Sequence, residues 1–263
     1  MSRVAIGFTV FAIVAGAGAA VAQLPPATAV PSGQTIVIAE LFTSEGCSSC
    51  PPADRLLETL LRQQPASGVY VIPLSEHVDY WDHQGWKDPF SSPQFTERQK
   101  VYGFHFNVDS IYTPQMVVDG ANEFVGSDER ELKRVLTKAV SKPKPELHVE
   151  FATAQDQPGT VVGVSGPGLA ADGEAAEVMV AVTEDDLVVD VKRGENASRT
   201  LRHSGVVRIL TSAGVIEPAT KAPPTMFATV VLRPAWKRDK LRIVAFVQSK
   251  QSRRILSIGW RAI

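Results

Sequence analysis

The feature that most constrains the fold is a strand–helix–strand pattern over residues 35–74. Thr35–Phe42 (TIVIAELF) is an almost continuous apolar run, which is typical of a strand buried on both faces. Residues 51–64 carry leucines at helical spacing and open with two prolines, which suit the first turn of a helix. Val69–Leu74 (VYVIPL) is a second buried strand. A helical connection of this kind predicts that the two strands pair in parallel.

Cys47 and Cys50 are the only cysteines in the 263-residue chain, and they lie in the turn between the first strand and the helix. Their Cys-Ser-Ser-Cys spacing fits a redox pair, two ligands of a metal site, or a local disulfide that only staples the turn. Closing a ring of about four residues stabilises a fold by roughly 2 kcal/mol, against roughly 4.7 kcal/mol for about a hundred residues. A purely structural disulfide is therefore poorly placed here.

The N-terminal segment has the pattern of an export signal. Arg3 supplies a short positive region, Val4–Ala19 is a run of apolar and small residues, and Ala20–Ala22 is an A-x-A cleavage site. We therefore predict a signal peptide at residues 1–22 and a flexible, Pro/Ala-rich leader at residues 23–33. No later segment approaches the about 20 apolar residues of a membrane-spanning helix. The mature chain is expected to be secreted into the periplasm, where disulfides persist, and to have no membrane span.

The hydrophobic pattern changes at Lys142–Pro145, a Lys-Pro-Lys-Pro sequence that ends a predicted helix. Before it, strand and helix signals alternate; after it, short segments with a period of two are separated by turn residues. The prediction is an α/β domain at residues 34–142, followed by an all-β, antiparallel, sandwich-like domain at residues 146–263. Further helices are expected over residues 92–102 and over Ser127–Lys142, with Ser127 as the cap of the second.

Four stretches of the sequence resemble a known family. They are ELFTSEGCSSCPPAD from Glu40, HVDYWDHQGWKDPFSSPQFTERQ from His77, YTPQMVVDG from Tyr112 and RGENASRTLRHSGVVR from Arg193. They are similar to the secreted thioredoxin-like family catalogued as DUF1223, whose function is unknown. The resemblance implies a thioredoxin-like fold for the α/β domain at residues 34–142. It also implies a cis peptide bond at Thr113–Pro114, which would place the backbone of Thr113 beside the sulfurs to hold an extended substrate.

The position of the cysteine pair before a helix also favours redox chemistry on physical grounds. A thiolate attacks disulfides, and the unpaired N–H groups and dipole at a helix start lower the pKa of a nearby thiol. Cys47 is thus the expected nucleophile, exposed at the turn, and Cys50 would resolve the mixed disulfide. The buried acid that thioredoxins carry six residues before the first cysteine is replaced here by Leu41. Glu40 should point to the opposite face of the strand, and Glu45 is expected to be solvated.

The insert after the second strand is rich in aromatic residues, His and Asp, and is expected at the end of the sheet that carries the cysteines. One interpretation is a substrate-facing wall that includes His77, Trp81 and Trp86. Another is a Zn or Cu(I) site in which His77 or His83 joins the two cysteines. A third is a polar loop closed by its own hydrogen bonds. His203, without an acid or cysteine pattern nearby, is interpreted as structural.

The leading hypothesis is a thiol–disulfide oxidoreductase in which Cys47 and Cys50 exchange with a protein or small-molecule disulfide. It needs no cofactor beyond this pair. Its partners would be a disulfide-containing protein or small thiol, together with a membrane redox partner. A metal-handling protein and a non-enzymatic interaction module are the alternatives. The formal net charge of −1 supplies no general field that attracts nucleic acid, so no nucleic-acid partner is expected.

Overall fold

The computed structural model describes residues 33–64, 68–153, 159–218 and 224–263. The predicted signal peptide lies outside the described residues, as does the predicted leader apart from Gly33. In the described part of the chain, no helix combines the length and apolar character needed to cross a membrane.

The described residues form thirteen strands and three α-helices, and all three α-helices precede Lys142. The strands are β1 (Thr35–Thr43), β2 (Val69–His77), β3 (Gln115–Val118), β4 (Asn122–Val125), β5 (His148–Thr153), β6 (Thr160–Ser165), β7 (Ala176–Glu184), β8 (Leu187–Asp190), β9 (Thr200–His203), β10 (Val206–Ile216), β11 (Thr225–Val230), β12 (Leu241–Ser249) and β13 (Ile255–Ala262). The helices are α1 (Pro51–Gln63), α2 (Pro93–Phe106) and α3 (Glu129–Ala139). β1 and β2 pair in parallel along their whole length, which confirms the predicted strand–helix–strand unit.

The helices begin where the sequence provides suitable capping residues. α1 starts directly after Cys50, with proline in its first turn, where backbone N–H groups have no intrahelical partners. α2 is capped by Ser92, whose side chain accepts a backbone hydrogen bond at 3.2 Å. α3 is capped by Asp128, which accepts the N–H of Glu131 at 2.9 Å. The prediction of Ser127 as the cap is therefore wrong by one residue.

Strands from both halves of the chain join one large mixed sheet. Among the described residues it has eight strands in the order β13-β12-β7-β10-β2-β1-β3-β4. The predicted fold class, a thioredoxin-like α/β domain followed by a separate all-β sandwich, is therefore wrong. The period-two pattern of the second half does correspond to strands. However, β7, β10, β12 and β13 extend the sheet begun by the first half instead of building a domain of their own.

The two halves meet at a close backbone contact between β2 and β10. Val206 pairs with Ser75 in parallel register, and the N–H of Ser75 donates to the carbonyl of Gly205 at 2.7 Å. Gly205 has a φ of +66°, and a Cβ at this position would lie 2.7 Å from the carbonyl oxygen of Pro73. Glycine is required here because any side chain would clash with the backbone of β2.

One face of the large sheet has a core that both halves share. It includes Ile38 and Leu74 from the first half, Val244 and Phe246 from the second, and Phe95 from α2. The other face is covered in two parts. α1 and α3 pack over the strands of the first half, and the three-stranded sheet β11-β6-β5 packs over β7 and β12. Helices cover one part of this face and strands cover the other, which explains why the sequence pattern changes although the sheet is continuous. The predicted domain boundaries stay predictions.

Candidate functional site

Cys47 and Cys50 form a disulfide at the end of the sheet where β1 and β2 have their carboxyl ends. Their Cα atoms are 5.4 Å apart. Cys50 immediately precedes α1, and its carbonyl accepts the N–H groups of Ala53 and Asp54 at 2.9 and 3.1 Å. The pair therefore lies at a helix N-terminus, where unpaired N–H groups and the helix dipole favour a negatively charged sulfur.

Neither sulfur reaches the surface in the disulfide form. Cys47 and Cys50 are both 0% exposed, whereas Ser48 and Ser49 between them are exposed. The prediction that Cys47 is exposed at the turn is therefore wrong. Turns usually run over the protein surface, but the two cysteines of this turn are buried because other segments of the chain cover them.

One covering segment is the loop between β8 and β9, which we call the 191–199 loop. Its Asn196 is fully buried, and the side-chain amide donates to the carbonyls of Glu45 and Cys47 at 2.8 and 2.9 Å. The carboxylate of Glu195 accepts a further backbone N–H of the cysteine turn at 3.0 Å. Hydrogen bonds from the second half of the chain therefore hold the cysteine turn of the first half in place.

Thr113–Pro114 lies beside the cysteine turn, and its peptide bond is cis, which confirms what the family resemblance implied. The hydroxyl of Ser49 is within 3.5 Å of the Thr113 carbonyl oxygen. The indole of Trp81, which is half-buried, donates to the Thr113 hydroxyl at 2.8 Å. Thr113 and Trp81 are therefore brought next to the pair, as a substrate-facing wall requires.

Five buried titratable side chains pack against the cysteine turn and form what we call the imidazole cluster: Glu45, Asp54, His77, Asp88 and His203. Nδ1 of His77 is 2.7 Å from Oδ2 of Asp88, and the same oxygen accepts the N–H of Glu45 at 2.8 Å. Burial opposes the charged form of both groups, yet their Coulombic attraction raises the pKa of His77 and lowers the pKa of Asp88. These shifts favour an imidazolium–carboxylate ion pair.

His203 reaches this cluster from β9. Its Nε2 is 3.2 Å from Oε1 of Glu45, and its ring centroid is 4.9 Å from that of His77. The second oxygen of Glu45 accepts a hydrogen bond from the indole of Trp86 at 2.7 Å. Glu45 is 0% exposed, so the expectation of a solvated side chain is wrong. Within the described residues, Nε2 of His77 and Nδ1 of His203 are buried without a hydrogen-bond partner.

Asp54 completes the cluster from α1. The hydroxyl of Thr43 donates to its Oδ1 at 2.8 Å. Burial raises the pKa of Asp54, and attraction to His203 and His77 offsets only part of that rise. Because Asp54 follows Cys50 by four residues, the two side chains leave the same side of the helix. A carboxyl that can hold a proton therefore lies close to the cysteine pair.

A second buried polar group, the arginine cluster, lies on the opposite face of β1 and β2 and consists of Glu40, Glu76, Arg98, Tyr102 and Gln248. Glu40 points away from Leu41, as predicted, and accepts hydrogen bonds from Arg98 Nε and the Tyr102 hydroxyl, both at 2.6 Å. Gln248 of β12 donates to the Tyr102 hydroxyl at 2.7 Å and accepts from Arg98 Nη1 at 3.1 Å. This cluster ties α2 to both halves of the sheet.

The residues of the metal interpretation are not assembled as one ligand set. The described residues contain no group of three or more His, Cys, Asp or Glu side chains arranged to hold a metal ion. Cys47 and Cys50 are joined to each other, and His77 is buried against Asp88. His83 is exposed. His77 also lies inside the protein, so of the three proposed wall residues only Trp81 and Trp86 are half-buried.

Sequence reasoning missed Asp54 and Asn196 and did not connect His203 with the cysteines. Asp54 carries a usable signal, because an acid four residues after Cys50 shares its side of the helix. Asn196 and His203 carry no local signal, since their partners in the cysteine turn lie 151 and 158 residues earlier.

The sequence matches one family of proteins over most of its length. The family, described as DUF1223, protein of unknown function, matches residues 38–248. None of the curated proteins matches the chain in sequence. The family description therefore leaves the chemistry of the site to be argued from its geometry.

Two solved structures are similar to this one. Protein AGR_C_4864 from Agrobacterium tumefaciens is 27% identical, with 86% of this chain and 93% of that chain covered and a TM-score of 0.62. HBP35 of Porphyromonas gingivalis is 12% identical, with 88% of this chain and 76% of that chain covered and a TM-score of 0.59. At 12% identity, the second likeness concerns the fold alone.

Proposed function

The chain belongs to the DUF1223 family, and from that premise we propose that it is a secreted, periplasmic thiol–disulfide oxidoreductase. In this proposal, Cys47 attacks a substrate disulfide and Cys50 releases the resulting mixed disulfide. The observation that carries the proposal is the disulfide between the two cysteines of the chain, placed directly before a helix. In this proposal the disulfide itself is the redox centre, and no further cofactor takes part.

The helix start supports the required chemistry at Cys47. A free cysteine has a pKa of about 8.5, and helix N-termini and nearby cations lower such values to about 3.5–7.5. In the reduced protein, the N-terminus of α1 would stabilise a thiolate at Cys47 in the same way. A lower pKa increases the fraction of attacking thiolate at neutral pH.

The surroundings of the pair support an extended polypeptide, or a small disulfide, as the substrate. The carbonyl of Thr113 lies next to the cysteine turn and can accept a hydrogen bond from a substrate backbone. Trp81 adds a half-buried aromatic surface beside it. The partners in this proposal are a disulfide-containing protein or small thiol, and a membrane redox partner that resets the pair.

Because both sulfurs are buried, exchange requires the turn to open. Three hydrogen bonds join the 191–199 loop to the turn, through Asn196 and Glu195. A typical hydrogen bond contributes about 0.5–1.5 kcal/mol net, so releasing these three costs a few kcal/mol. States at such energies are populated at roughly 0.1–10%. An open minor form is therefore accessible without unfolding of the sheet.

The test is reduction of insulin disulfides by dithiothreitol in the presence of catalytic amounts of the mature chain. We expect turbidity to develop faster than with dithiothreitol alone, and we expect Cys47→Ser to abolish the acceleration because it removes the attacking sulfur. Ser141→Ala is the matched control, since Ser141 is exposed and lies outside the cysteine turn. Equal rates with and without the wild-type protein would reject the proposal, as would full activity of Cys47→Ser.

The complete burial of the disulfide favours a second candidate, an interaction module in which the bridge only shapes the turn. In that case the pair would not exchange with thiols at a useful rate. Incubation of the native protein with a glutathione redox buffer, followed by acid quench and mass spectrometry, separates the two. Reversible conversion between disulfide and dithiol supports the oxidoreductase, whereas a bridge that stays closed in native protein and opens only on unfolding supports the module.

A further inference from the structure

Thiol–disulfide exchange requires Cys50 to lose a proton inside the protein. In the reduced protein this sulfur starts as a thiol, and only its thiolate can attack a mixed disulfide on Cys47. Cys50 is 0% exposed, so solvent does not reach it directly in the closed form. A neighbouring base must take the proton, and that base must itself exchange protons with solvent.

We propose that Asp54 accepts the proton of Cys50 and passes it to solvent through a cavity between α1 and β9. This inference rests on the proposed redox function of the cysteine pair. Asp54, which the sequence interpretation missed, would then act in proton transfer. β9, from the second half of the chain, would form one wall of the proton path.

The backbone geometry places Asp54 next to Cys50. The N–H of Asp54 donates to the Cys50 carbonyl at 3.1 Å, and residues at this spacing have Cβ atoms about 5–6 Å apart. The hydroxyl of Thr43 donates a hydrogen bond to Oδ1 of Asp54 at 2.8 Å, so Oδ2 is the oxygen that can take a proton. Asp54 is 7% exposed whereas Cys50 is 0% exposed, and Asp54 but not Cys50 lines a cavity.

A cavity of about 150 Å³ between α1 and β9 has Asp54 in its lining. Besides Asp54, its lining consists of Pro51, Arg55 and Glu58 of α1 and of Thr200, Leu201 and Arg202 of β9. A water molecule takes about 30 Å³ in the liquid, so the cavity has room for several. Water in this position would connect the carboxyl of Asp54 to solvent.

The charges around Asp54 suit a group that gains and loses a proton. Its titratable neighbours are His77, His203, Glu45 and Asp88 on the cluster side and Arg55, Glu58 and Arg202 on the cavity side. Burial raises the pKa of Asp54, and the two imidazoles oppose that rise. A carboxylate with a raised pKa is a better proton acceptor for a thiol than an ordinary surface aspartate.

The step balances within the pair and its substrate. Asp54 takes the proton from the Cys50 thiol, and the resulting thiolate attacks Sγ of Cys47. The bond between Cys47 and the substrate sulfur breaks as the Cys47–Cys50 bond forms, and the substrate sulfur leaves as a thiolate. Two electrons thus pass from the dithiol to the substrate disulfide. Asp54 then releases its proton to the cavity.

The experiment follows the dithiol form as it reacts with oxidised glutathione. Rapid acid quench and mass spectrometry separate the glutathione adduct on Cys47 from the internal disulfide. For Asp54→Asn we expect adduct formation at the wild-type rate but resolution roughly 10²-fold slower near pH 6. The deficit should shrink above a pH of about 8.5, where the Cys50 thiol ionises without help. Glu129→Gln, which removes an exposed acid from the first turn of α3, is the matched control.

The outcomes separate this inference from the proposed function. If the wild-type protein forms no glutathione adduct, the oxidoreductase proposal itself fails. If Asp54→Asn resolves the adduct at the wild-type rate with an unchanged pH profile, only the role of Asp54 is overturned. Asp54→Glu keeps a carboxyl and should restore at least part of the rate, which a merely structural effect of the substitution would not predict.

A measurement on wild-type protein covers the case in which Asp54→Asn does not fold. The carboxyl carbon of ¹³C-labelled Asp54, assigned through its own backbone, is titrated by NMR in the disulfide and dithiol forms. Proton exchange with Cys50 requires the pKa of Asp54 to differ between the two forms, with the higher value when a thiolate is nearby. Identical titration curves would overturn the assignment.

Discussion

The imidazole cluster and the arginine cluster lie on opposite faces of the same two strands. Consecutive residues of β2 supply one member to each, Glu76 to the arginine cluster and His77 to the imidazole cluster. This follows from the alternation of side chains along a strand. Both clusters are buried, both receive a residue from the second half of the chain, and they differ in the kind of charge that they contain.

The arginine cluster has a permanent positive charge. Arg98 contacts Glu40, Tyr102 and Gln248, and it stays protonated because burial is outweighed by the nearby acids, which raise its pKa. Burial raises the pKa of Glu76 well above its usual value, and Glu40 adds to that rise while Arg98 opposes it. The raised pKa favours the neutral form of Glu76, and the guanidinium of Arg98 pairs with Glu40 at 2.6 Å. The cluster is therefore a fixed connection between α2 and the sheet.

The imidazole cluster contains three carboxyls and two imidazoles but no guanidinium or ammonium group. Its net charge therefore depends on how many protons it holds, and histidine is the side chain whose charge changes near neutral pH. It also packs against the cysteine turn, whereas the arginine cluster lies on the other face of the strands. We therefore attribute structural stability to the arginine cluster and proton handling to the imidazole cluster.

The largest effect is expected for Arg98→Met. This change removes the guanidinium that pairs with Glu40, and breaking a buried ion pair in this way costs about 3–5 kcal/mol. Urea unfolding should show the loss, and Lys100→Met on the exposed side of α2 should change stability far less. The pH profile of thiol exchange should be unchanged. A shifted profile with near-normal stability would mean that the clusters do not divide the two roles.

A smaller effect, of about 3 kcal/mol, is expected for Asp88→Asn, which removes the charge that faces His77. Without it, only Asp54 and Glu45 oppose the effect of burial, and the pKa of His77 should fall. NMR titration of the ring measures this, and Arg98→Met should leave the same titration in place. A His77 titration that does not move in Asp88→Asn would contradict the ion pair.

The sign of these shifts sets the pH window of the Asp88→Asn defect. The raised pKa of His77 contributes stability that is present below its unfolded value of about 6.5 and is lost as the pH rises through the folded pKa. The lowered pKa of Asp88 contributes stability that is lost as the pH falls through its folded value. Urea unfolding should therefore show the widest gap between wild type and variant between about pH 4 and 6.5.

The parts of the fold that sequence predicts are those whose information is local. The apolar runs of β1 and β2, the helical leucines of α1 and the cysteine turn lie within one stretch of chain. The joining of β10 to β2 is different, because bulges at Val207/Ile209 and Ser212/Gly214 interrupt the alternation of β10. Its contact with β2 depends on the close approach at Gly205, which no periodicity reveals.

The candidate site divides in the same way. The cysteine pair and the cis Thr113–Pro114 bond follow from a local motif and a family resemblance. The burial of Cys47 and Glu45 could not be predicted, because the covering residues Asn196 and His203 approach from 149 and 158 residues away. The positions of the acidic residues in the sequence do not indicate a buried cluster either, since acids in a turn ordinarily face solvent.

The smallest effects are expected at two buried amides from the second half of the chain. Asn196 hydrogen-bonds the cysteine turn, and Gln248 hydrogen-bonds the arginine cluster. Asn196→Ala and Gln248→Ala should each cost about 1–3 kcal/mol in urea unfolding, because both leave buried polar groups without partners. Only Asn196→Ala should speed reduction of the Cys47–Cys50 disulfide by dithiothreitol, by roughly tenfold for about 1.4 kcal/mol of lost restraint. If Gln248→Ala accelerates reduction equally, access to the sulfurs follows overall stability instead of the 191–199 loop. The disulfide would then open through a general loosening of the sheet, and the functional difference between its two faces would disappear.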